Sequence, residues 1–240
     1  MENKPVVYYF IPHQDDEVLS FGVSILNHTK TGQDVKVIYC TDGSKSSVRK
    51  KLEEGLVCEE HRETHRVSLT EEEFTDARDR EAIESCKHLG VKESNIHFAP
   101  IRIVDGQSTV EGCKHIIKEY MKLAPEAKVK TFTPYGAETM HKDHKALGKA
   151  ALELYNEGII KDMRFYIEPY EIENFRRENP SIKDRIETAD EYGNDLVKAL
   201  NAYGVWYPCE KRYAIGHHSV KKGFDDAKRE KLNYVHSPID

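Results

Sequence analysis

Two short clusters bring imidazole and carboxylate together in this 240-residue chain: Pro12-His13-Gln14-Asp15-Asp16-Glu17 and His141-Lys142-Asp143-His144. Three side chains drawn from imidazole and carboxylate, with a fourth position open, are the ligand set of a catalytic zinc, whereas structural zinc sites are closed and usually rich in thiolate. His13, Asp16 and His144 supply such a set. His13 and Asp16, three apart, can converge at a helix start, while the adjacent Asp15 points elsewhere and is free to act as a base. A zinc-bound water has its pKa lowered toward ~7, so a neighbouring carboxylate can take its proton at neutral pH. His141, three residues before His144, could hold a developing oxyanion or protonate a leaving amine, with Asp143 orienting it or supplying charge.

Each cluster follows a run that reads as a strand. Val6-Val7-Tyr8-Tyr9-Phe10 is β-branched and aromatic, Pro12 stops it, and Val18, Leu19, Phe21, Ile25 and Leu26 then suit one broad helix face. Val129-Lys130-Thr131-Phe132-Thr133 alternates as a strand, Pro134-Tyr135-Gly136 breaks it, and Ala146, Leu147, Ala150, Ala151 and Leu154 return at helical spacing. A polar run at a helix start is also what the macrodipole favours in solvent. Ligands of an open α/β sheet, however, bind in the crevice outside the carboxyl ends of its strands, so two clusters placed there can meet.

The remaining pattern supports such a sheet. The run Asp34-Val35-Lys36-Val37-Ile38-Tyr39-Cys40 follows the turn Thr31-Gly32-Gln33 and completes a right-handed βαβ unit. Thr70 and Glu73 form a capping box for a helix lined by Ala77, Ile83, Cys86 and Leu89 and ending at Gly90. Residues 95–98 and 163–167 read as strands, and residues 110–123, 188–202 and 224–234 as helices, the last one polar. Residues 213–220 read as a strand or loop, residues 44–70 as a polar surface insertion, partly helical, and residues 171–183, dense in charge, as a mobile loop. The expected fold class is α/β, a Rossmann-like three-layer sandwich with a mostly parallel sheet, in a single domain over residues 1–240.

Composition narrows the partners. A net charge of −6, a pI near 6.1 and interspersed charges give no footprint for nucleic acid or an anionic membrane. No apolar run reaches transmembrane length, and Met1-Glu2-Asn3-Lys4-Pro5 lacks the layout of a signal peptide, so the expected location is cytoplasmic. The five cysteines, Cys40, Cys58, Cys86, Cys113 and Cys209, are scattered and contain no C-x-x-C pair, so neither a disulfide framework nor a thiolate zinc site is expected. No G-x-G-x-x-G or Walker sequence follows a strand, which disfavours a dinucleotide. A homo-oligomer is compatible with the sequence.

The two clusters also carry a family resemblance. The chain resembles the PIG-L/LmbE-like zinc-dependent N-deacetylases, which act on N-acetylglucosamine-containing glycoconjugates and include the deacetylases of mycothiol and bacillithiol synthesis. Their first motif, Pro-His-x-Asp-Asp-Glu, stands as Pro12 to Glu17, and their second, His-x-Asp-His, as His141 to His144. Thr41-x-Gly43, Arg78-x-x-Glu81 and Leu89-Gly90 also resemble family positions, and the resemblance fades after about residue 150. It departs at Gln14, where the family commonly has proline or alanine, and at Lys142, where it commonly has proline; neither replaces a ligand. The resemblance implies zinc on His13, Asp16 and His144, Asp15 as general base, and His141 as oxyanion stabiliser and aid to amine departure, with Fe2+ as an alternative metal.

Other candidates are weaker. Arg78 could reach a substrate hydroxyl or phosphate, though an arginine in a polar helix is more often solvated or paired. The resemblance implies a late residue near the acyl pocket, for which His217, His218 or Tyr213 could serve, His218 being the one taken here as substrate-binding. His61, His65, His88, His97 and His115 have no partner at ligand spacing and read as surface or packing residues, and Trp206 as a packing residue or a sugar platform. The expected function is removal of the N-acetyl group from an amino-sugar conjugate by metal-activated water. The alternatives are a metal-dependent carbohydrate-binding protein without turnover and a metallohydrolase for another bond.

Overall fold

The computed structural model describes residues 6–136 and 138–238. The leading segment Met1 to Pro5, read above for a signal peptide, lies outside the described residues. The chain runs β1 (Val7–Ile11), α1 (Asp16–Leu19), α2 (Gly22–Lys30), β2 (Val35–Thr41), α3 (Val48–Glu54), β3 (Leu56–Cys58), β4 (Glu63–His65), α4 (Glu71–His88), β5 (Ile96–Ile103) and α5 (Val110–Leu123). It continues β6 (Lys128–Phe132), α6 (Lys142–Asn156), β7 (Asp162–Ile167), α7 (Ile172–Glu178), β8 (Arg185–Thr188), α8 (Gly193–Ala202), β9 (Trp206–Tyr207), β10 (Arg212–Tyr213), α9 (Ile215–Glu230) and β11 (Leu232–His236). Among these residues no helix is long and apolar enough to cross a membrane.

The main sheet has seven strands in the order β5-β2-β1-β6-β7-β11-β8. The pairs from β5 through β7 are parallel, and β11 runs antiparallel to both β7 and β8. From β1 the chain moves outward to β2 and β5, then returns across β1 to β6 and β7, so the carboxyl ends of β1 and β6 flank the point where strand order reverses. Alternating side chains serve two cores. Val7, Tyr9 and Ile11 pack with α2, α4 and α8, while Tyr8 and Phe10 pack with α5 and α6 on the other face. This is the expected three-layer, mostly parallel α/β arrangement.

Several local expectations change. The capping box holds, with Thr70 Oγ1 accepting from Glu73 N at 3.1 Å and Glu73 Oε2 from Thr70 N at 2.9 Å. Residues 44–70 contain α3 as expected, and also the β3–β4 hairpin. Residues 171–183, expected as a mobile loop, contain helix α7 over Ile172–Glu178, because Ile172 and Phe175 are buried against Ile167. The helix expected at 188–202 begins only at Gly193, after β8. Residues 213–220 are neither strand nor loop beyond β10: α9 starts at Ile215, where the buried Glu81 carboxylate accepts the backbone N–H of Ile215 at 2.8 Å and of Gly216 at 3.0 Å. The polar helix expected at 224–234 stops at Glu230, Lys231 turns left-handed (φ 52), and residues 232–236 are drawn into the sheet between β7 and β8.

Candidate metal centre and substrate cleft

The two histidine and carboxylate clusters meet at the switch point. Nδ1 of His13, Oδ2 of Asp16 and Nε2 of His144 lie 3.2 Å from one another on all three sides. Tetrahedral zinc, with Zn–N near 2.0–2.1 Å, separates its ligand atoms by about 3.3 Å. The triangle therefore has the size that a single cation requires.

The outer ring nitrogens fix which lone pairs face inward. Nε2 of His13 is 3.0 Å from Asp143 Oδ2 and 3.3 Å from Asp105 Oδ1, so it carries the proton and leaves Nδ1 free to ligate. Nδ1 of His144 is 3.2 Å from Glu168 Oε1, which leaves Nε2 free in the same way. The His144 ring also stacks on Phe132, the last residue of β6, at 4.1 Å. Asp143 is itself held by the backbone N–H groups of Gly106 at 2.7 Å and Ser108 at 2.9 Å. Its main partner is thus His13; the expected partner, His141, has its Nδ1 3.8 Å away.

Charge in the centre favours a cation. Burial alone would lower the basicity of His13, but Asp105, Asp143 and Asp16 raise it well above the ordinary value. Burial likewise opposes protonation of His144, and Asp16 and Glu168 reverse this, pushing it up to about 10. Burial would raise Asp16 and Asp143 too, yet His144 and His13 hold the first, and His13 the second, well below the usual carboxylate range. A buried site that concentrates carboxylates so strongly that its imidazoles hold protons is one from which a divalent cation can displace them.

Asp15 stands apart from this triangle. It adopts φ 105, ψ −31, a conformation that costs a non-glycine residue on the order of 1–3 kcal/mol. Three hydrogen bonds enforce it. Its N–H donates to Glu17 Oε2 at 3.0 Å, and Arg78 Nη2 donates to Gln14 O at 2.5 Å and to Asp15 Oδ2 at 3.2 Å. Arg78 also donates to Gly43 O at 2.9 Å, so this buried guanidinium is engaged in shaping the loop. Burial pushes the Asp15 carboxyl up to about 7, with Arg78 opposing and Asp16 reinforcing.

His141 caps α6, its Nδ1 accepting from Asp143 N at 3.3 Å, which places the proton of the neutral ring on Nε2. Burial, together with His13 and His144, holds it below its ordinary value, so it is neutral at pH 7. The centre opens into a cleft of about 1050 Å³ that reaches past Leu19 to Tyr170, Lys222, Arg229 and Tyr234. His13, Asp15, Asp16, His141, His144 and Arg78 line it. Of the late candidates, none of His217, His218 and Tyr213 is among the lining residues; their neighbours Ser219 and Val220 are. His218 turns instead to His65, with Nε2 to Nδ1 at 2.8 Å, and Trp206 stacks on His65 at 3.7 Å and packs against Tyr213.

Reasoning from motifs missed Asp105, Glu168 and the positioning role of Glu17. The first two follow β5 and β7 by two residues and one, so the strand-end rule that picked out His13 applied to them too. Glu17 is fully buried, and its Oε1 accepts from Tyr203 Oη at 2.7 Å.

The profile of a family described as PIG-L: GlcNAc-PI de-N-acetylase matches residues 8–155. No curated protein sequence matches the chain. Among solved structures, the N,N'-diacetylchitobiose deacetylase from Pyrococcus horikoshii aligns with a TM-score of 0.65 at 17% identity, covering 99% of this chain and 85% of that one. A deacetylase triple mutant involved in the teicoplanin biosynthetic pathway aligns with a TM-score of 0.65 at 19% identity, covering 98% and 99%. The 4-carboxy-2-hydroxymuconate hydratase from Pseudomonas putida aligns with a TM-score of 0.60 at 14% identity, covering 97% and 95%. At these identities the likeness is one of fold.

Proposed function

The chain belongs to the PIG-L family, and on that premise we propose that it is a zinc-dependent hydrolase removing the N-acetyl group from an N-acetylglucosamine-type sugar or glycoconjugate. The observation that carries this reading is the triangle of His13, Asp16 and His144 with Asp15 and His141 beside it. Deacetylases among the similar structures support the choice of bond. The fold alone does not choose it, since a hydratase shares that fold. We read residues 1–240 as one domain, supported by a sheet whose strands run from Val7 to His236.

A cation held by His13, Asp16 and His144 supplies Lewis acidity toward the acetyl carbonyl and toward water. The two-imidazole, one-carboxylate set suits zinc and also Fe2+, so metal content is part of the test. Asp15 takes the proton of the attacking water, a role suited to a carboxyl held near neutrality. The Nε2–H of His141 donates to the oxygen that becomes negative as the carbonyl is attacked. Asp15, by then protonated, returns its proton to the departing nitrogen. Acetate and a free amino sugar result.

The cleft is larger than the acetamido group needs, which fits a conjugate with a sizeable aglycone. The deciding experiment is acetate release by the zinc-loaded protein from a panel of N-acetylglucosaminides. Turnover supports the reading; binding without turnover replaces it with a carbohydrate-binding role.

A further inference from the structure

A second set of metal-ligating side chains lies on the β3–β4 hairpin. Cys58 closes β3, His65 closes β4 and His218 lies in the first turn of α9; Sγ and one nitrogen from each imidazole fall within 4.8 Å of one another. Nδ1 of His65 is 2.8 Å from Nε2 of His218, and Nδ1 of His61 is 3.3 Å from Sγ of Cys58. Cys58 and His65 are 4% and 0% exposed. None of the four lines the substrate cleft. Expected from sequence to be surface or packing residues, His61 and His65 thus have a thiol and a third imidazole beside them.

The ligand atoms of this cluster face one another at close range. Two ring nitrogens at 2.8 Å share one proton, and the other nitrogen of His65, Nε2, is buried without a hydrogen-bond partner, Glu63 Oε1 being 3.6 Å away. A cation between the ligand atoms takes the lone pairs of His65 Nδ1 and His218 Nε2 together and leaves the His65 Nε2–H directed toward Glu63. The hairpin also has reason to need a clamp. Its strands are three residues each, they form a sheet of their own, and Val57 is exposed on its outer face. A two-stranded hairpin is marginal in water by itself.

We propose that Cys58, His65 and His218, with His61 as fourth ligand, form a second metal site for a borderline-soft divalent cation such as Zn2+, which clamps the β3–β4 hairpin onto the first turn of α9. The ligands are one thiolate and imidazoles, with spacing Cys-x2-His-x3-His, a set that selects zinc over magnesium or calcium. Ser219 and Val220, which follow His218, line the substrate cleft, so the clamp fixes part of its wall.

Cobalt titration of the full chain tests this, because the centre at His13 contains no thiolate and only the second site gives a thiolate-to-cobalt absorption band. In a Cys209→Ala background, which removes the exposed thiol, the protein is expected to bind about two Co2+ per chain and to show that band. Cys58→Ser is expected to lose the band and about one Co2+, while His144→Ala keeps the band and loses the other. Should Cys58→Ser not fold, His218→Ala reads the same loss of one Co2+. Absence of the band at saturating Co2+, its survival in Cys58→Ser, or unchanged stoichiometry in His218→Ala overturns the site. Trypsin cleavage after Arg62, exposed at the hairpin tip, is expected to quicken about tenfold or more in metal-saturated Cys58→Ser; equal rates overturn the clamp.

Discussion

Nδ1 of His13 and Nε2 of His144 face each other at 3.2 Å although 131 positions separate them in the chain. With Asp16 Oδ2 at the same distance from both, the three converge on one point while Asp15 is turned away toward Arg78. Asp16→Ala and His144→Ala are therefore expected to lose the metal of this centre. Asp15→Asn is expected to retain it and lose turnover by ~10²–10⁴-fold. Metal content and acetate release measured on the same preparations decide; equal metal loss in Asp15→Asn would sink the division of roles.

The carboxylates behind the two imidazoles should matter nearly as much as the ligands. Asp143→Asn removes an acceptor from the His13 Nε2–H, and Glu168→Gln one from the His144 Nδ1–H. Each substitution is expected to weaken zinc affinity about 10–100-fold, read by competition with a chromophoric chelator. Wild-type affinity in both variants would show that these carboxylates do not orient the ligands.

Gly43 is the point at which the Asp15 loop is easiest to disturb. It adopts φ +63, and a Cβ there would lie 2.2 Å from Gln14 Oε1 and 2.9 Å from Arg78 Nη1. Gly43→Ala is expected to destabilise the protein by about 2 kcal/mol, combining left-handed strain with the displaced guanidinium. Turnover should fall with metal content intact, since the added Cβ meets Gln14 and Arg78 and not His13, Asp16 or His144. Urea unfolding and acetate release check both halves; a neutral effect would mean that Arg78 does not hold Asp15 in place.

Lys130 gives the pH dependence of stability a specific cause. Its ammonium is buried among Ser24 Oγ at 2.8 Å, Tyr166 Oη at 2.9 Å and the Tyr9 ring. Burial, partly offset by Glu187, lowers it from 10.5 to about 8. Between these values the unfolded chain binds the proton and the folded one does not, so stability rises with pH over about 8 to 10.5. The shift corresponds to on the order of 3 kcal/mol. Unfolding free energies of wild type minus Lys130→Met, measured from pH 7.5 to 10.5, should climb by that order. A flat difference would show that the ammonium is not penalised.

The parts of this molecule legible in the sequence are those written locally. The apolar runs before His13 and His141, the Thr70–Glu73 capping box and the spacing of α5 each predict their element, and both motifs fall after adjacent strands. What stayed hidden depends on distant partners. Helix α9 begins where it does because Glu81, 134 positions earlier, accepts its first N–H groups. Residues 232–236 carry no strand pattern apart from the preceding helix and become β11 by pairing on both sides. Glu168 is a lone carboxylate until His144 is beside it, and Cys58 and His65 share a face only once their hairpin closes. Conversely, His218 reads as an active-site residue until the fold turns it toward His65.

The pairing of β1 with β6, Val7 against Lys128 and Tyr9 against Lys130, is what sets His13 against His144. A slip of one residue along β6 would carry its end by about 3.3 Å, as far as the ligands stand from one another, and would turn Phe132 from the ring on which it stacks. An ion bridging the two strand ends therefore accepts one alignment and rejects its neighbours. During folding it would proofread the longest-range pairing in the sheet's centre, holding chains that have closed correctly and leaving misaligned ones free to reopen.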